Sequence, residues 1–345
     1  MVQRPTLKDV AERAGVHVGT ASRALSESSR HLVSNTTLGK VLAAAQALGY
    51  THNVSARTLR TERSSAVGML LPDLTNPIFP PMVRGAEDVL RDLGYSVWIA
   101  NTDGDAELES AAIASFRQRS VDGYIFATAR LDHPLIEEMY RTSTPLVLVN
   151  RRLARTDVPA VTSDDAHGTV LALTHLYELG HREIVYVAGP QEFSTGLHRK
   201  RAFVQSMKDL GLPAGPDRVA HCVAWSAEAG RYALGELLDA GRRFTAVLAG
   251  NDLIGLGCFD ALRERGLSCP ADVSVVGFDD TPFMDRVAPP MTTIRISQYE
   301  LGQEAARLLV DILNAPERRN RSLILAPVLV VRCSAAPPGR GSVPP

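Results

Sequence analysis

The side chains best suited to specific contacts fall in one short stretch near the amino terminus, TLKDVAERAGVHVGTASRAL, residues 6–25. Over 18–25, helical spacing turns Ala21, Ala24 and Leu25 inward and leaves Val18, Gly19, Ser22 and Arg23 outward. A guanidinium fork matches the paired N7 and O6 acceptors of guanine, so Arg23 is the candidate base reader. Val18 and Gly19 offer apolar or close-approach contacts, such as to a thymine methyl. A helix that offers its first residues in this way is the second helix of a helix-turn-helix seated in the major groove. The plain alternative is a helical hairpin with a solvated arginine, which twenty residues alone do not exclude.

The elements that position these residues are legible. Thr6 stands three residues before Asp9 in a capping-box arrangement, ahead of a helix with Leu7, Val10, Ala11 and Ala14 on one face. Gly15 supplies the tight turn, Val16 buries at the entry to the second helix, and Ser34 caps a third running to about Leu48, ended by Gly49. Gly39 inside that helix costs about 1 kcal/mol against alanine. Residues 1–63 hold 9 Lys plus Arg against 4 Asp plus Glu, whereas the remaining 282 hold 28 against 34. A basic head on an acidic body is the footprint of a protein that meets nucleic acid through one end.

Three stretches, Thr6 to Arg23, Val33 to Val41 and Leu48 to Leu59, follow in order the patterns T-x-x-D/E-V-A-x-x-A-G-V-S-x-x-T-V-S-R, V-S-x-x-T-R-x-R/K-V and L-G-Y-x-P-N-x-x-A-R-x-L. In this the sequence resembles the LacI/GalR family of bacterial transcription regulators, to about Cys333. His17 departs from the family's capping serine, Ala21 from a valine, Leu38 from an arginine and His52 from a proline. The resemblance implies that Thr6, His17, Val18, Gly19, Thr20, Ser22 and Arg23 face DNA. It also implies that 53–60 form a hinge helix, with Asn53, Ala56 and Arg57 at the minor groove and Leu59 inserted between central base pairs. Eight residues make a marginal helix on their own, so folding there can couple to DNA binding.

Beyond Ser64, strand-like segments (AVGMLLP, YSVWIAN, VDGYIFAT, PLVLVN, then REIVYVAG, TAVLAG, VSVVGFDD) alternate with helical ones, giving two α/β units. The expected fold is an all-α helix-turn-helix head (1–63) and an α/β body (64–333), with 334–345 a disordered tail. The resemblance implies a two-lobed, periplasmic-binding-protein-like body, with lobes of about 64–163 plus 294–320 and 164–293 plus 321–333.

Ligands of open α/β folds sit beyond the carboxyl ends of the strands, where Asn150, Arg199, Asn251, Asp252, Asp279 and Asp280 lie. In relatives, the positions of Arg199, Asn251 and Asp279 commonly bind the effector. Trp225 matches a position often aromatic there, and Asn76 to Phe79 match N-P-F/Y-F/Y, so Phe79 joins the ligand candidates. Asp164, at a lobe crossing, completes them. Asn150, Arg199, Asn251 and Asp279 suit vicinal hydroxyls and Trp225 the C–H face of a sugar ring, so a small carbohydrate is the expected effector; a purine is the alternative. Asp252 and Asp280 are expected to cap helices.

Nothing matches G-x-S-x-G, a P-loop, G-x-G-x-x-G after the first strand or H-E-x-x-H, so no enzyme is indicated. Four scattered cysteines give no metal or disulfide framework, and no cofactor is expected. No apolar stretch approaches 18 residues and the amino terminus has no apolar signal core, which points away from membranes and to the cytoplasm. Without that head, the body would pass for an extracytoplasmic sugar-binding protein. The expectation is a homodimeric transcription regulator, most simply a repressor, of a pseudopalindromic double-stranded operator, with no leucine heptads to build a tetramer.

Overall fold

The computed structural model describes residues 5–26, 29–50, 64–154, 157–315, 317 and 321–339. It divides into two compact units, Met1–Ser64 and Ser65–Pro345. In the first, helices α1 (Leu7–Ala14), α2 (Val18–Leu25) and α3 (Asn35–Leu48) enclose Val10, Ala11, Ala21, Ala24, Val41, Ala44 and Ala45. Small residues let three short helices pack tightly, and the caps supply what so small a core does not. Both halves of the Thr6–Asp9 capping box form, Gly15 and Gly49 take left-handed backbone at φ 66° and 61°, and the Ser34 hydroxyl accepts from the Thr37 amide.

The second unit holds two six-stranded sheets. The first runs in the order β11 (Leu323–Leu325), β5 (Ala160–Ser163), β4 (Leu146–Val149), β3 (Gly123–Phe126), β1 (Ala66–Leu71) and β2 (Ser96–Asn101), all parallel. The second runs β12 (Val328–Val330), β10 (Thr292–Arg295), β9 (Ser274–Asp279), β8 (Ala246–Ala249), β6 (Ile184–Ala188) and β7 (Val219–His221), with only β12 antiparallel. Central strands are buried end to end because helices cover both faces, which is why they read as unbroken apolar runs.

Helices α4 (Phe79–Asp92), α5 (Ala106–Gln118), α6 (Pro134–Arg141) and α11 (Gln298–Asn314) serve the first lobe, and α7 (Asp165–Glu178), α8 (Ser194–Asp209), α9 (Ala227–Asp239) and α10 (Asp252–Glu264) the second. Helices α4 and α11 cross with backbones almost touching. A Cβ on Gly302 would lie 1.9 Å from the Met82 carbonyl oxygen, and one on Gly85 2.0 Å from that of Tyr299. This crossing locks the late helix onto the first lobe.

Three expectations need correction. Residues 334–339, expected in a disordered tail, pack on the second lobe: Ser334 is fully buried and its hydroxyl donates to the Val275 carbonyl at 2.6 Å. Two strands also depart from expectation. Strand β10 pairs with β9 in the second sheet and β11 with β5 in the first. The late crossings therefore fall between β10 and α11 and between β11 and β12, a few residues after the expected 294 and 321. Apolar patterning identified these strands as sheet material without saying which sheet takes them, since both offered an open edge. No helix among the described residues is long and apolar enough to cross a membrane, and no cluster of His, Cys, Asp and Glu there is arranged to hold a metal.

Candidate functional site

In the head, His17 takes over the cap of α2: its Nδ1 accepts from the Gly19 amide at 3.1 Å. The role vacated by serine is thus filled by a ring nitrogen, leaving the rest of an exposed imidazole at the start of the recognition helix. Val18 is exposed, Gly19, Thr20 and Ser22 are half-buried, and Ala21 and Ala24 are fully buried beneath them. Arg23 is exposed and folds back along α2, its Nε donating to the Gly19 carbonyl at 3.2 Å. Thr6 is committed locally, donating from Oγ1 to Asp9 at 2.8 Å. Asn53, Ala56, Arg57 and Leu59 lie outside the described residues.

In the body, strand ends build a cleft between the lobes. Phe79, Asn150, Arg199, Trp225, Asn251 and Asp279 all line it, joined by Asn76, Ile78, Arg151 and Thr195. Asn150 ends β4 with φ 67° and Asp279 ends β9 with φ 113°, left-handed backbone that side-chain-bearing residues adopt at a cost of about 1–3 kcal/mol. Such strain sits where the chain must turn a side chain into the cleft instead of continuing the pleat. Asn76 shapes the opposite wall: its Oδ1 accepts from the Ile78 amide at 3.2 Å, starting the turn that delivers Phe79 to α4. Trp225 packs against Gly189 at the end of β6, where a Cβ would come within 2.2 Å of the indole. That close approach is what requires glycine there.

Arg199 organises the charge. Its Nε donates to Asp165 at 2.8 Å, Nη1 to the Gly250 carbonyl at 2.8 Å, and Nη2 lies 3.2 Å from Asp279 Oδ1, while the guanidinium stacks 3.6 Å from the Phe278 centroid. Burial opposes the charge on Arg199, but Asp165 and Asp279 outweigh it and hold the guanidinium firmly protonated. Two carboxylates share that one cation. Burial raises the Asp165 carboxyl and lifts Asp279 to about 6, against the pull of Arg199. Asp279 Oδ1 is within ion-pair range of Arg199 yet makes no aligned hydrogen bond.

Arg151, which pattern reading passed over, is the largest addition. It is 4% exposed, stacks 3.9 Å from the Phe193 centroid, and keeps Nε and Nη1 without a hydrogen-bond partner among the described residues. Burial lowers its pKa to about 10. Trp225 Nε1 is likewise buried and unpartnered. Native proteins rarely leave such groups unpaired, so a guanidinium edge, an indole N–H and a carboxylate oxygen in one cleft mark a place for a polar ligand. The signal for Arg151 was available, since it directly follows Asn150 at the same strand end.

Other residues take different roles. Asp164 does not line this cleft; its carboxylate caps α7, accepting from the His167 amide at 2.9 Å. Its neighbour Asp165 is the one that meets Arg199. Asn251 lines the cleft and also caps α10 through the Ile254 amide at 2.9 Å. Neither Asp252 nor Asp280 is a helix cap. Asp252 is fully buried, accepts from the Thr281 amide at 2.7 Å and the Thr293 hydroxyl at 2.5 Å, and burial pushes it up to about 8. Asp280 pairs with Arg295 and Arg332, each at 2.7 Å.

Comparison with known proteins agrees with both halves of this geometry. Residues 6–53 match the model of bacterial regulatory proteins, lacI family, and residues 173–335 that of a periplasmic binding protein-like domain. The HTH-type transcriptional regulator DegA of Bacillus subtilis is 31% identical, covering 97% of this chain and 99% of its own. Among solved structures, the lac repressor dimer bound to operator and the anti-inducer ONPF superposes with a TM-score of 0.86 at 27% identity, covering 97% of this chain and all of that one. A complex of the transcriptional regulator CelR with cellobiose gives 0.74 at 30% identity, covering 96% of this chain and all of that one. A capped recognition helix, a cleft at the carboxyl ends of two sheets and full-length similarity converge on one conclusion: the chain belongs to the lacI family of bacterial regulatory proteins and is a DNA-binding transcription regulator.

Proposed function

We propose that this regulator is a cytoplasmic, homodimeric repressor of a pseudopalindromic operator, that a small carbohydrate in the interlobe cleft sets its DNA affinity, and that it acts by binding and not by catalysis. The observation that carries the effector reading is a set of buried polar atoms on residues lining one cleft: Arg151 Nε and Nη1 and Trp225 Nε1, unpartnered among the described residues, and Asp279 Oδ1, held only by its ion pair with Arg199. Donors and an acceptor fixed around an indole face suit a ring bearing hydroxyls. The cellobiose held by CelR and the operator held by the lac repressor dimer support the same assignment.

The cleft encloses only about 20 Å³ of open space, little more than one water molecule occupies. A sugar therefore enters by spreading side chains drawn from both lobes, and its binding energy is coupled to the separation of the lobes. By linkage, the sugar alters operator affinity by the same factor that operator alters sugar affinity. The hinge residues Asn53, Ala56, Arg57 and Leu59 are the proposed receivers of that change at the DNA.

The test is operator binding by the full chain, measured with and without a panel of sugars, sugar phosphates and nucleobases, beside Asp279→Ala. One sugar should shift operator affinity in the native chain and leave Asp279→Ala unresponsive while that variant still binds DNA. A nucleobase as the only active compound would replace carbohydrate by purine, and an unaltered response in Asp279→Ala would remove the cleft from the mechanism.

A further inference from the structure

The seam between the lobes opens on a second side. Neighbouring residues diverge there: Arg151 and Thr195 face the effector cleft, whereas Arg152 and Ser194 face a separate groove of about 410 Å³. The same groove takes His198 and Arg201 from α8, and it continues into a depression of about 540 Å³ that shares Arg152, His198, Arg201 and Ile324. His198 and Arg201 stand three residues apart and so lie on one face of α8, while Arg199 between them points into the buried ion-pair cluster.

Charge distinguishes this groove from an ordinary crevice. The side chains of Arg152 and Arg201 have no ion pair or hydrogen bond among the described residues, although carboxylates stand close by. Asp165 is taken by Arg199 at 2.8 Å, and Asp164 by the amide of His167 at 2.9 Å. Asp157, in the outer depression, comes within ion-pair distance of neither arginine. Two guanidiniums without an ion pair among the described residues and an imidazole thus line a pocket in which Asp165 is paired and Asp164 alone keeps an unpaired charge, beside Ser163, Ser194 and Ile324. Arginine forks recognise phosphate and carboxylate bidentately, and the exposed Ile324 lining the same groove offers an organic anion an apolar contact that a bare ion does not use.

We propose that this groove is a second ligand site, for a small organic anion bearing a phosphate or carboxylate group, distinct from the carbohydrate cleft. Its walls are the places where the chain passes between lobes: Ser163 and Asp164 at the crossing into α7, and Ile324 on the last strand before the return. An anion gripped by Arg152 of the first lobe and Arg201 of the second ties the lobes together across that seam. It is therefore a second input on the lobe geometry that the effector reads. The Arg199–Asp165 pair links the two sites, Asp165 lining the groove and Arg199 the cleft.

The test uses the full chain and two probes, inorganic phosphate and citrate, titrated against sodium chloride of matched ionic strength, with thermal stability as the readout. At least one probe should stabilise the protein beyond the salt control. Arg152→Gln/Arg201→Gln should bind it about tenfold or more weakly, the loss expected when a charged hydrogen bond is removed. Arg152→Lys/Arg201→Lys should retain part of the effect, and Arg151→Gln, which alters the carbohydrate cleft, should keep all of it. Both arginines are exposed, so their replacement leaves the core intact. Stabilisation by phosphate alone or citrate alone identifies the anion chemistry. Equal stabilisation of native and Gln/Gln chains, loss in Arg151→Gln instead, or no effect beyond salt would overturn the proposal.

Discussion

At the scale of single residues, the cleft is a balance of buried charges, and that balance has a pH signature. The ionised Asp279 carboxylate accepts hydroxyl hydrogen bonds more strongly than the protonated acid, and burial lifts its carboxyl to about 6. Effector affinity should therefore fall as pH drops through about 6, by at most about tenfold per unit below it. The effect on the stability of the free protein has the opposite sign. A carboxyl raised in the folded state favours folding when protonated, so its contribution is present below the unfolded-state value near 3.8 and is lost as pH rises through about 6. Asp252, raised to about 8, adds to stability with the same sign but does not line the cleft. Asp252→Asn should accordingly change the stability profile and leave the midpoint of effector affinity near 6. Calorimetric titration of the effector between about pH 5 and pH 7.5 measures it; affinity flat across that range would show that Asp279 is not the acceptor.

At the scale of elements, the head was legible almost to the residue, and the reason is local. Capping boxes, left-handed glycines and alanine spacing depend on neighbours within four positions, so Thr6, Gly15, Ser34 and Gly49 each do what the sequence indicates. Gly39, in the interior of α3, works against this. Nothing lies within 4 Å of a Cβ built there, so Gly39→Ala should stabilise the head by about 1 kcal/mol, seen as a higher melting temperature of the head transition. An unchanged or lower transition would mean that the glycine serves something other than the helix. In the body, buried strands were equally plain, since an apolar run declares itself. What sequence did not decide was pairing over long separation. The expected lobe bounds put β11 in the wrong sheet and cut β10 in two, and Asp164 capped α7 while its neighbour Asp165 met Arg199, because register across a lobe seam is fixed by packing more than 30 residues away. Arg151 had a sequence signal in its position after Asn150, but that its Nε and Nη1 find no partner among the described residues is visible only in three dimensions.

At the scale of the whole molecule, a pseudopalindromic operator needs two heads, and the body must supply the surface that pairs them. The most exposed large apolar side chains among the described residues of the second lobe are Val223 at 90% exposure, Phe283 at 74% and Tyr232 at 66%. Phe283 is also held at φ 75°, a backbone state that costs about 1–3 kcal/mol and persists only when the surroundings demand it. Solvent alone gives no return on a strained, exposed phenylalanine, whereas a second copy covering it does. Phe283→Asp places a charge where that contact would be desolvated. It should shift sedimentation equilibrium toward monomer and weaken operator binding in proportion, because each head then binds without its partner. Sugar binding should persist, since Phe283 does not line the cleft. A variant that remains as dimeric as the native chain would move the interface elsewhere, and one that turns monomeric yet binds operator undiminished would break the link between pairing and DNA recognition.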